Sequence, residues 1–219
     1  MNAAARAPLV DVVRSDSTTA MPPGVRRGLP PSSTPMEWGL AALVGRLGEV
    51  SADRSSASLT LAFRLVLEAQ RRGEPVAWVA RRDSVFYPPD VADAGIDLAA
   101  LAVVRAGDVM VAAKVADHLL RSGGFGLVVV DRGGDARLPI HAQTRLAGLV
   151  RKHDSVLLCI TEKSRLMPSV GSLVSLRAEA SRAERCGDRF RCEIRVLKDK
   201  RRGPGWTYGE VCRGPDGLC

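Results

Sequence analysis

Residues 49–60 read EVSADRSSASLT and stand between the run GRLGEV and the apolar helix SLTLAFRLVLEAQRR. A strand, a short loop and a helix in this order form the frame of a phosphate-binding loop, G-x-x-x-x-G-K-[ST]. Here Ala52 and Ala57 stand at the two glycine positions, Ser58 replaces the lysine, and Leu59 replaces the hydroxyl residue that binds Mg²⁺. The stretch therefore predicts the fold of a nucleotide-binding protein without its chemistry.

The other loop residues favour the same interpretation. Asp53 adds negative charge where a polyphosphate would sit, and Arg54 is inside the loop but not at the lysine position. Alanine also penalises the positive φ angles that glycines allow in such a loop. We therefore predict a degenerate phosphate loop that does not support ATP hydrolysis, made of Ala52, Asp53, Arg54, Ser55, Ser56, Ala57, Ser58 and Leu59.

A second motif typical of nucleotide-binding enzymes is present without the residues that act together with it. The run LVVVD, which ends at Asp131, is like the acid-ended strand that positions Mg²⁺ in phosphoryl-transfer enzymes. Because no lysine or hydroxyl ligand accompanies it, we expect Asp131 to cap the following turn, RGGDAR, and we predict no enzymatic activity.

Metal-ligating residues are few and scattered. The three histidines and five cysteines form no C-x-x-C, H-x-x-x-H or H-x-E pattern, so neither a metal site nor a cofactor is predicted. An odd number of cysteines without ligand spacing favours reduced thiols and a cytoplasmic protein. The apolar runs are too short to span a bilayer, and the N-terminal stretch MNAAARAPLVDVVRSD lacks the apolar core of a signal peptide.

The balance of charge favours acidic partners. The 219-residue chain carries a net charge of +8 and has a pI of about 9.8, which points first to nucleic acid. The alternative is that the arginines only solvate the surface. Residues 1–35 are rich in Pro, Gly, Ser and Thr, so we predict a flexible N-terminal tail in which PLVDVV is disordered. The alternative is that PLVDVV is a short docking element.

Short apolar runs alternate with helical segments along the middle of the chain, which is typical of a parallel sheet covered on both faces. The predicted strands are 47–52, 75–80, 101–106, 126–131 and 155–160, and the predicted helices are 58–72, 108–122 (with Asp108 as N-cap and Gly123 as the stop) and 139–153. Beyond residue 170, SLVSLRAEA, FRCEIRVLK and WTYGEVC follow one another without helices, and DKRRGPG makes a hairpin turn. We therefore predict an α/β fold whose parallel core is extended by antiparallel strands.

The order of these segments is similar to the core of the RecA recombinase family. There a G-R-x-x-E-[IV] strand leads into the phosphate loop, a helix, and a strand that carries the catalytic glutamate. The likeness starts with GRLGEVSADRSSASLTLAFRLVLEAQRRGEPVAWVARRD, continues through RSGGFGLVVVD, RLAGLVRKHDSVLLCITEK and CEIRVLKDKRRGPG, and covers residues 45–205. It implies a RecA-like domain over residues 36–219, with a mostly parallel sheet flanked by helices and antiparallel C-terminal strands.

The chain departs from the family at the positions that carry catalysis. Arg82 or Asp83 falls where the resemblance would place the catalytic glutamate. Thr161 and Glu162 fall where an Asn-Gln pair senses the γ-phosphate. The segment 163–172 is too short for the family's full second DNA-binding loop.

A shortened RecA-like chain of this kind resembles the ImuA family, accessory factors of a damage-inducible mutagenesis cassette. The resemblance implies a non-catalytic adaptor in SOS-induced, error-prone translesion DNA synthesis that binds ImuB, an inactive Y-family polymerase homologue. RecA, the error-prone C-family polymerase and DNA are further candidate partners. The alternative is SulA, the SOS inhibitor that binds the division polymer. The long basic hairpin and the ending GWTYGEVCRGPDGLC favour ImuA.

Two surfaces are predicted to bind partners. In the RecA family a strand from one subunit pairs with a sheet edge of the next, and here ImuB or this chain's own tail would add that strand. The matching edge is Leu101, Ala102, Val103, Val104 and Arg105, over a floor formed by Val109, Val111 or Ala112. The alternative is that these residues only pack the domain's own core. Residues 177–213 contain eleven Lys or Arg against six acids. We predict sequence-independent DNA binding there through Lys198, Lys200, Arg201, Arg202 and Trp206, with Tyr208 nearby as a second ring that could stack. The alternative is that Trp206 and Tyr208 are strand residues packed on the sheet.

Overall fold

The computed structural model describes residues 10–11, 37–52, 57–84, 88–134, 137–186 and 189–213. The strands are β1 Val10–Asp11, β2 Arg46–Ala52, β3 Val76–Arg81, β4 Leu101–Ala106, β5 Leu127–Asp131, β6 Val156–Glu162, β7 Leu176–Cys186, β8 Arg189–Asp199 and β9 Thr207–Arg213. The helices are α1 Leu40–Leu43, α2 Ser58–Arg71, α3 Pro88–Asp93, α4 Val109–Arg121 and α5 Ile140–Lys152, with a 3₁₀ turn at Leu98–Ala100.

All described strands belong to one mixed sheet, in the order β1-β9-β8-β7-β2-β6-β5-β3-β4. Every neighbouring pair from β7 to β4 is parallel, whereas β7, β8, β9 and β1 pair antiparallel. The predicted α/β architecture, a parallel core extended by antiparallel C-terminal strands, is confirmed. β4 stands at one end of this order, and β2 lies near its middle.

The helices cover the two faces of the sheet separately. α1 and α2 pack on one face, where Trp38, Trp78 and the inward side chains of β7–β9 form a continuous apolar cluster. α4 and α5 pack on the other face, against the second cluster. The strands at the centre of the sheet are buried on both faces, which is why they read as unbroken apolar runs in the sequence.

The ends of the helices follow local rules. The Asp108 side chain accepts hydrogen bonds from the backbone N–H groups of Met110 and Val111, as expected for the N-cap of α4. Gly123 has φ +68°, the left-handed conformation that commonly ends a helix, two residues after Arg121. None of the helices in the described ranges is both long and apolar enough to cross a membrane.

The N-terminal stretch PLVDVV differs from its prediction at two residues. Val10–Asp11 form β1, which pairs with Val211 and Cys212 of β9, instead of being disordered. This places the tail strand at the end of the sheet opposite β4, so the tail occupies a different edge from the predicted one. The rest of the predicted tail lies outside the described residues.

Candidate functional site

The frame of the phosphate loop is present, and the described part of it holds no cation. β2 ends at Ala52 and α2 begins at Ser58, while residues 53–56 lie outside the described part of the chain. Ala57 and Ser58 are buried, and Leu59 is 45% exposed. The first turn of α2 therefore offers no lysine to neutralise a phosphate and no hydroxyl at the position that would bind Mg²⁺.

Glu49, on the strand that leads into this loop, is completely buried and is held by four groups. Its Oε1 accepts a hydrogen bond of 3.0 Å from Thr161 Oγ1 and lies 2.7 Å from Lys163 Nζ. Its Oε2 accepts a bond of 2.9 Å from the N–H of Val170 and lies 4.0 Å from Arg177 Nε. A charge buried in this way is tolerated only because it is paired and hydrogen-bonded.

The same cluster holds the segment that follows β6. Arg177 donates from Nη2 to the carbonyl of Ser164 at 3.1 Å and from Nη1 to that of Met167. Lys163 is 6% exposed, so its ammonium group is committed to Glu49 and does not face solvent. The cations nearest the end of β2 in the described residues are thus used inside the fold.

The acidic residue at the end of β5, Asp131, is partly buried beside Arg81 and Glu162. Burial raises the pKa of Asp131 above its ordinary value, Arg81 opposes this, and Glu162 adds to it. The N–H of Gly133 donates a hydrogen bond to Asp131, which caps the turn as predicted. A Cβ atom at Gly133 would lie 2.6 Å from Arg81 Nη1, so the guanidinium lies directly against this turn.

The other positions expected to carry nucleotide chemistry are dispersed. Arg82 and Asp83 are both exposed, and Asp83 pairs with Arg81 at 3.4 Å. Thr161 is buried against Glu49, whereas Glu162 is exposed. The structure does not bring these residues together as a catalytic group.

The predicted partner edge lies on the terminal strand β4, which pairs only with β3 among the described strands. Leu101 is buried, Val104 is half-buried, and Ala102, Val103 and Arg105 are exposed. Large apolar side chains are exposed on β4 and on the elements beside it: Leu98 at 39%, Val103 at 40% and Val111 at 41%. Of the predicted floor residues, Val111 is exposed and Val109 is half-buried, but Ala112 belongs to the core.

The basic hairpin is more internally bonded than its sequence indicates. The ammonium groups of Lys198 and Lys200 both donate to the carbonyl of Ser172 at 3.1 Å, and Arg201 donates to that of Val44 at 3.0 Å. Burial, and then the charge of Lys200, lower the pKa of Lys198. Arg202 is exposed at the tip.

Trp206 does not have the exposed ring that stacking on bases requires. It is 6% exposed, packs in the apolar cluster beneath β8 and β9, and donates from Nε1 to Asp199 at 3.3 Å. Tyr208 is half-buried on the same face, and its hydroxyl donates to Glu210. The alternative that Trp206 packs on the sheet is therefore the one the structure shows, and its ring, just before β9, is not placed to stack on DNA bases.

Arg46 anchors the hairpin and was missed in the sequence. Its Nη2 lies 2.6 Å from Asp199 Oδ1, and the guanidinium also donates to Ser175 and to the carbonyl of Ala42. Burial alone would raise the pKa of Asp199, but the bonds from Arg46 and from the N–H groups of Arg201 and Arg202 lower it. Arg46 and Glu49 are charged residues in β2, a strand that is buried at all seven positions. Two charged residues within a strand of this kind were the sequence signal that buried partners exist.

Comparisons with known proteins point to one family. No protein-family model matches the chain. It is similar to RecA of Solidesulfovibrio magneticus, with 30% identity over 193 residues, covering 77% of this chain and 52% of that protein. RecA of Nitratidesulfovibrio vulgaris is 27% identical over 181 residues, covering 71% of this chain and 50% of that protein. RecA of Chlorobaculum tepidum is 28% identical over 137 residues, covering 54% and 39%.

The chain thus spans about half the length of the RecA proteins it matches most extensively. Within the described ranges, no group of three or more His, Cys, Asp or Glu residues could hold a metal ion. The shared frame of strand, loop and helix, the order of the parallel strands and the similarity in sequence agree with one another. This chain is a distant, RecA-like relative of these proteins.

Proposed function

We propose that this RecA-like chain is a non-catalytic accessory protein in SOS-induced, error-prone translesion DNA synthesis, as in the ImuA family. The observation that carries the proposal is the first turn of α2, where Ser58 and Leu59 stand in place of the lysine and the Mg²⁺-binding hydroxyl. A phosphate loop contributes little to phosphoryl transfer without those groups. A RecA-like frame without them is suited to binding other molecules.

The buried charge pairs support the same interpretation. Lys163 and Arg177 neutralise Glu49, so these two cations serve the fold. The function is therefore expected to depend on residues at the protein surface. The exposed edge strand β4, with Val103 and the neighbouring Leu98 and Val111, is the part of that surface best suited to an added strand.

We assign ImuB as the partner that docks on β4. Val10–Asp11 of the tail pair with β9 at the other end of the sheet, and among the described strands β4 pairs only with β3, which favours another molecule at the β4 edge. An exposed apolar sheet edge is an aggregation hazard unless a partner covers it. RecA and the error-prone C-family polymerase would then join through ImuB or through neighbouring surfaces.

The test is capture from cells in which DNA damage has been induced. The full chain, tagged at one end, is expected to retain ImuB, with more retained after damage than before it. An Arg105→Ala variant and an exchange of Val103 for Glu would separate the edge from the rest of the surface, since only the second places a charge in the apolar patch. Retention of the division polymer without ImuB would instead support the SulA-like function and overturn this proposal.

A further inference from the structure

Helices α4 and α5 pack side by side on one face of the sheet, against the second apolar cluster. Each has 13 residues, and the two together contain a single carboxylate, Asp117, which is buried. We call the outward side of the two helices the basic helix face. Its exposed lysines and arginines are Lys114, Arg121, Arg145, Arg151 and Lys152.

The ends of the helices account for only part of this charge. Arg121, Arg151 and Lys152 lie in the last turns of α4 and α5, where cations complement the partial negative charge of a helix C-terminus. Lys114 and Arg145 lie near the middle of their helices, so this effect does not explain them. The basic helix face therefore carries cations that the helix ends do not require.

Two arginines, one from each helix, converge on Asp117. Arg121 Nη2 lies 2.5 Å from Oδ2, and Arg145 reaches the same carboxylate from α5, with Nε bonded to Oδ1 and Nη2 3.2 Å from Oδ2. The hydrogen bond from Arg145 is the main reason why the pKa of Asp117 is below its usual value, although burial opposes it. One ionised carboxylate cannot neutralise two guanidinium groups, so the cluster keeps a positive charge.

The two guanidinium groups are fixed in place and still face solvent. The side chains of Arg121 and Arg145 are 52% and 59% exposed, whereas that of Asp117 is 11% exposed. A guanidinium has five N–H donors, and Asp117 uses only one or two on each arginine. Because both side chains are already ordered, an incoming carboxylate would bind them with a smaller loss of conformational entropy.

An apolar stripe runs along α4 beside these cations. Val111, Val115 and Leu119 are four residues apart, so they lie on the same side of the helix. Val111 is 41% exposed, and Val115 and Leu119 are half-buried. Lys114 and Arg121 lie on the adjoining side, so α4 presents an apolar stripe next to a basic one.

The geometry points to a docking site on the basic helix face for an acidic peptide segment of a partner protein. Its carboxylates would pair with Lys114, Arg121 and Arg145, and its apolar side chains would cover the stripe on α4. A nucleic-acid backbone would use the cations but leave the apolar stripe uncovered. The combination of the two stripes therefore favours a peptide that carries both acidic and apolar residues.

The charge of the chain itself indicates that the acidic segment comes from another protein. Residues 1–36 contain four arginines and two aspartates, so the N-terminal tail does not complement a basic surface. A second copy of the chain would bring a net charge of +8, which opposes association. The site goes beyond the proposed function, because it uses side chains of α4 and α5 and not the backbone groups of β4.

The test compares two double variants that lose the same charge. Lys114 and Arg145 are replaced by Gln in the face variant, which leaves Arg121 to pair with Asp117. Arg71 and Arg72, which are exposed at the end of α2, are replaced by Gln in the control variant. Fluorescence anisotropy measures binding of a labelled peptide that is as long as α4 and is made of Glu, Asp and Leu.

The face variant is expected to lose about tenfold in affinity for this peptide, since two ion pairs are removed. The control variant should lose less than about twofold, and the affinity of the parent chain should fall as salt is added. Arg145→Lys keeps the charge without the planar fork of donors, so it should lose about threefold. Equal losses in the face and control variants would overturn the site, because binding would then follow net charge alone.

The choice of occupant is tested with other probes. A peptide in which every Leu is replaced by Ser should bind several times more weakly, and equal binding of the two peptides would contradict the apolar contact. Tighter binding of an oligothymidylate of equal charge would assign the face to nucleic acid and overturn the proposal. So would self-association of the parent chain that the face variant abolishes, since the occupant would then be a second copy.

Far-UV circular dichroism and urea unfolding show whether the face variant is folded. If it is not, Lys114→Gln alone is used, because Lys114 is exposed, and it should lose about threefold. Absence of peptide binding by the parent chain at low salt would contradict the proposal. The variants leave Leu98, Val103 and Val111 unchanged, so ImuB retention at β4 is read independently and the two proposals can fail separately.

Discussion

Glu49→Gln is expected to lower the free energy of unfolding by about 3–5 kcal/mol. The substitution keeps the shape of the side chain but removes the buried negative charge that faces Lys163 and Arg177. Two cations would then remain in the interior without a counter-charge, which costs far more than an exposed ion pair contributes. Since domains of this size are stable by roughly 5–15 kcal/mol, the loss would remove a large share of the total.

Urea unfolding followed by circular dichroism measures this loss. The matched control is Glu193→Gln, in which the same chemical change is made at an exposed carboxylate that pairs with Arg191. That control should change the free energy of unfolding by less than about 0.5 kcal/mol. A second variant, Glu49→Gln combined with Lys163→Met, should recover part of the lost free energy of unfolding, because it removes one of the two buried cations that have no counter-charge. Equal stability of Glu49→Gln and Glu193→Gln would show that the cluster does not hold the fold.

A proline at the outward-facing N–H position of β4 is expected to weaken the binding of ImuB about 100-fold. Adjacent residues of a strand direct their N–H groups to opposite sides, so one of Ala102 and Val103 points its donor at the free edge and the other at β3. Proline removes that donor and its ring obstructs an incoming strand. The proline variant at the residue whose N–H points to the free edge should stay folded and lose about 100-fold in affinity for ImuB. The proline variant at the residue whose N–H points to β3 should be destabilised, because it loses a hydrogen bond inside the sheet.

Isothermal titration of both proline variants with purified ImuB checks this result. Val103→Thr is the control, because it keeps the N–H and a β-branched side chain while adding a hydroxyl. It should bind within about threefold of the parent chain, corresponding to less than 1 kcal/mol. If both Ala102→Pro and Val103→Pro are folded and bind ImuB with full affinity, the docking site lies elsewhere on the surface.

The elements of the fold were predictable because their apolar periods are strong. The strands on either side of α5, β5 and β6, begin with continuous apolar runs. Helix α2 has a narrow polar stripe and α4 has an N-cap. Asp108 and Gly123 mark α4 at the residues expected from the sequence alone. Local signals of this kind do not depend on distant partners.

The buried charges were not predictable, since their partners are remote in the chain. Thr161 and Val170 reach Glu49 across 112 and 121 residues, and Asp199 reaches Arg46 across 153. Only the register of β2 with its neighbours brings them together. A charge inside an apolar strand indicates that a partner exists, but the sequence does not name it.

Amphipathic residues of the hairpin were also ambiguous. A tryptophan beside a basic turn is compatible with base stacking and with packing under a strand, and Trp206, which comes just before β9, does the second. The positions of Lys198 and Lys200 suggested free charges, yet both reach the carbonyl of Ser172. Which face of a strand is covered depends on where α1 and α2 pack.

ATP turnover by the purified chain shows whether the degenerate phosphate loop is catalytic. The loss of lysine and hydroxyl at Ser58 and Leu59 predicts no release of inorganic phosphate above background, with or without single-stranded DNA. Asp131→Ala is the matched variant, because it removes the one acid that such chemistry would need at the end of β5. If the parent chain releases phosphate from ATP and Asp131→Ala does not, the site is catalytic and the proposed non-catalytic function is wrong.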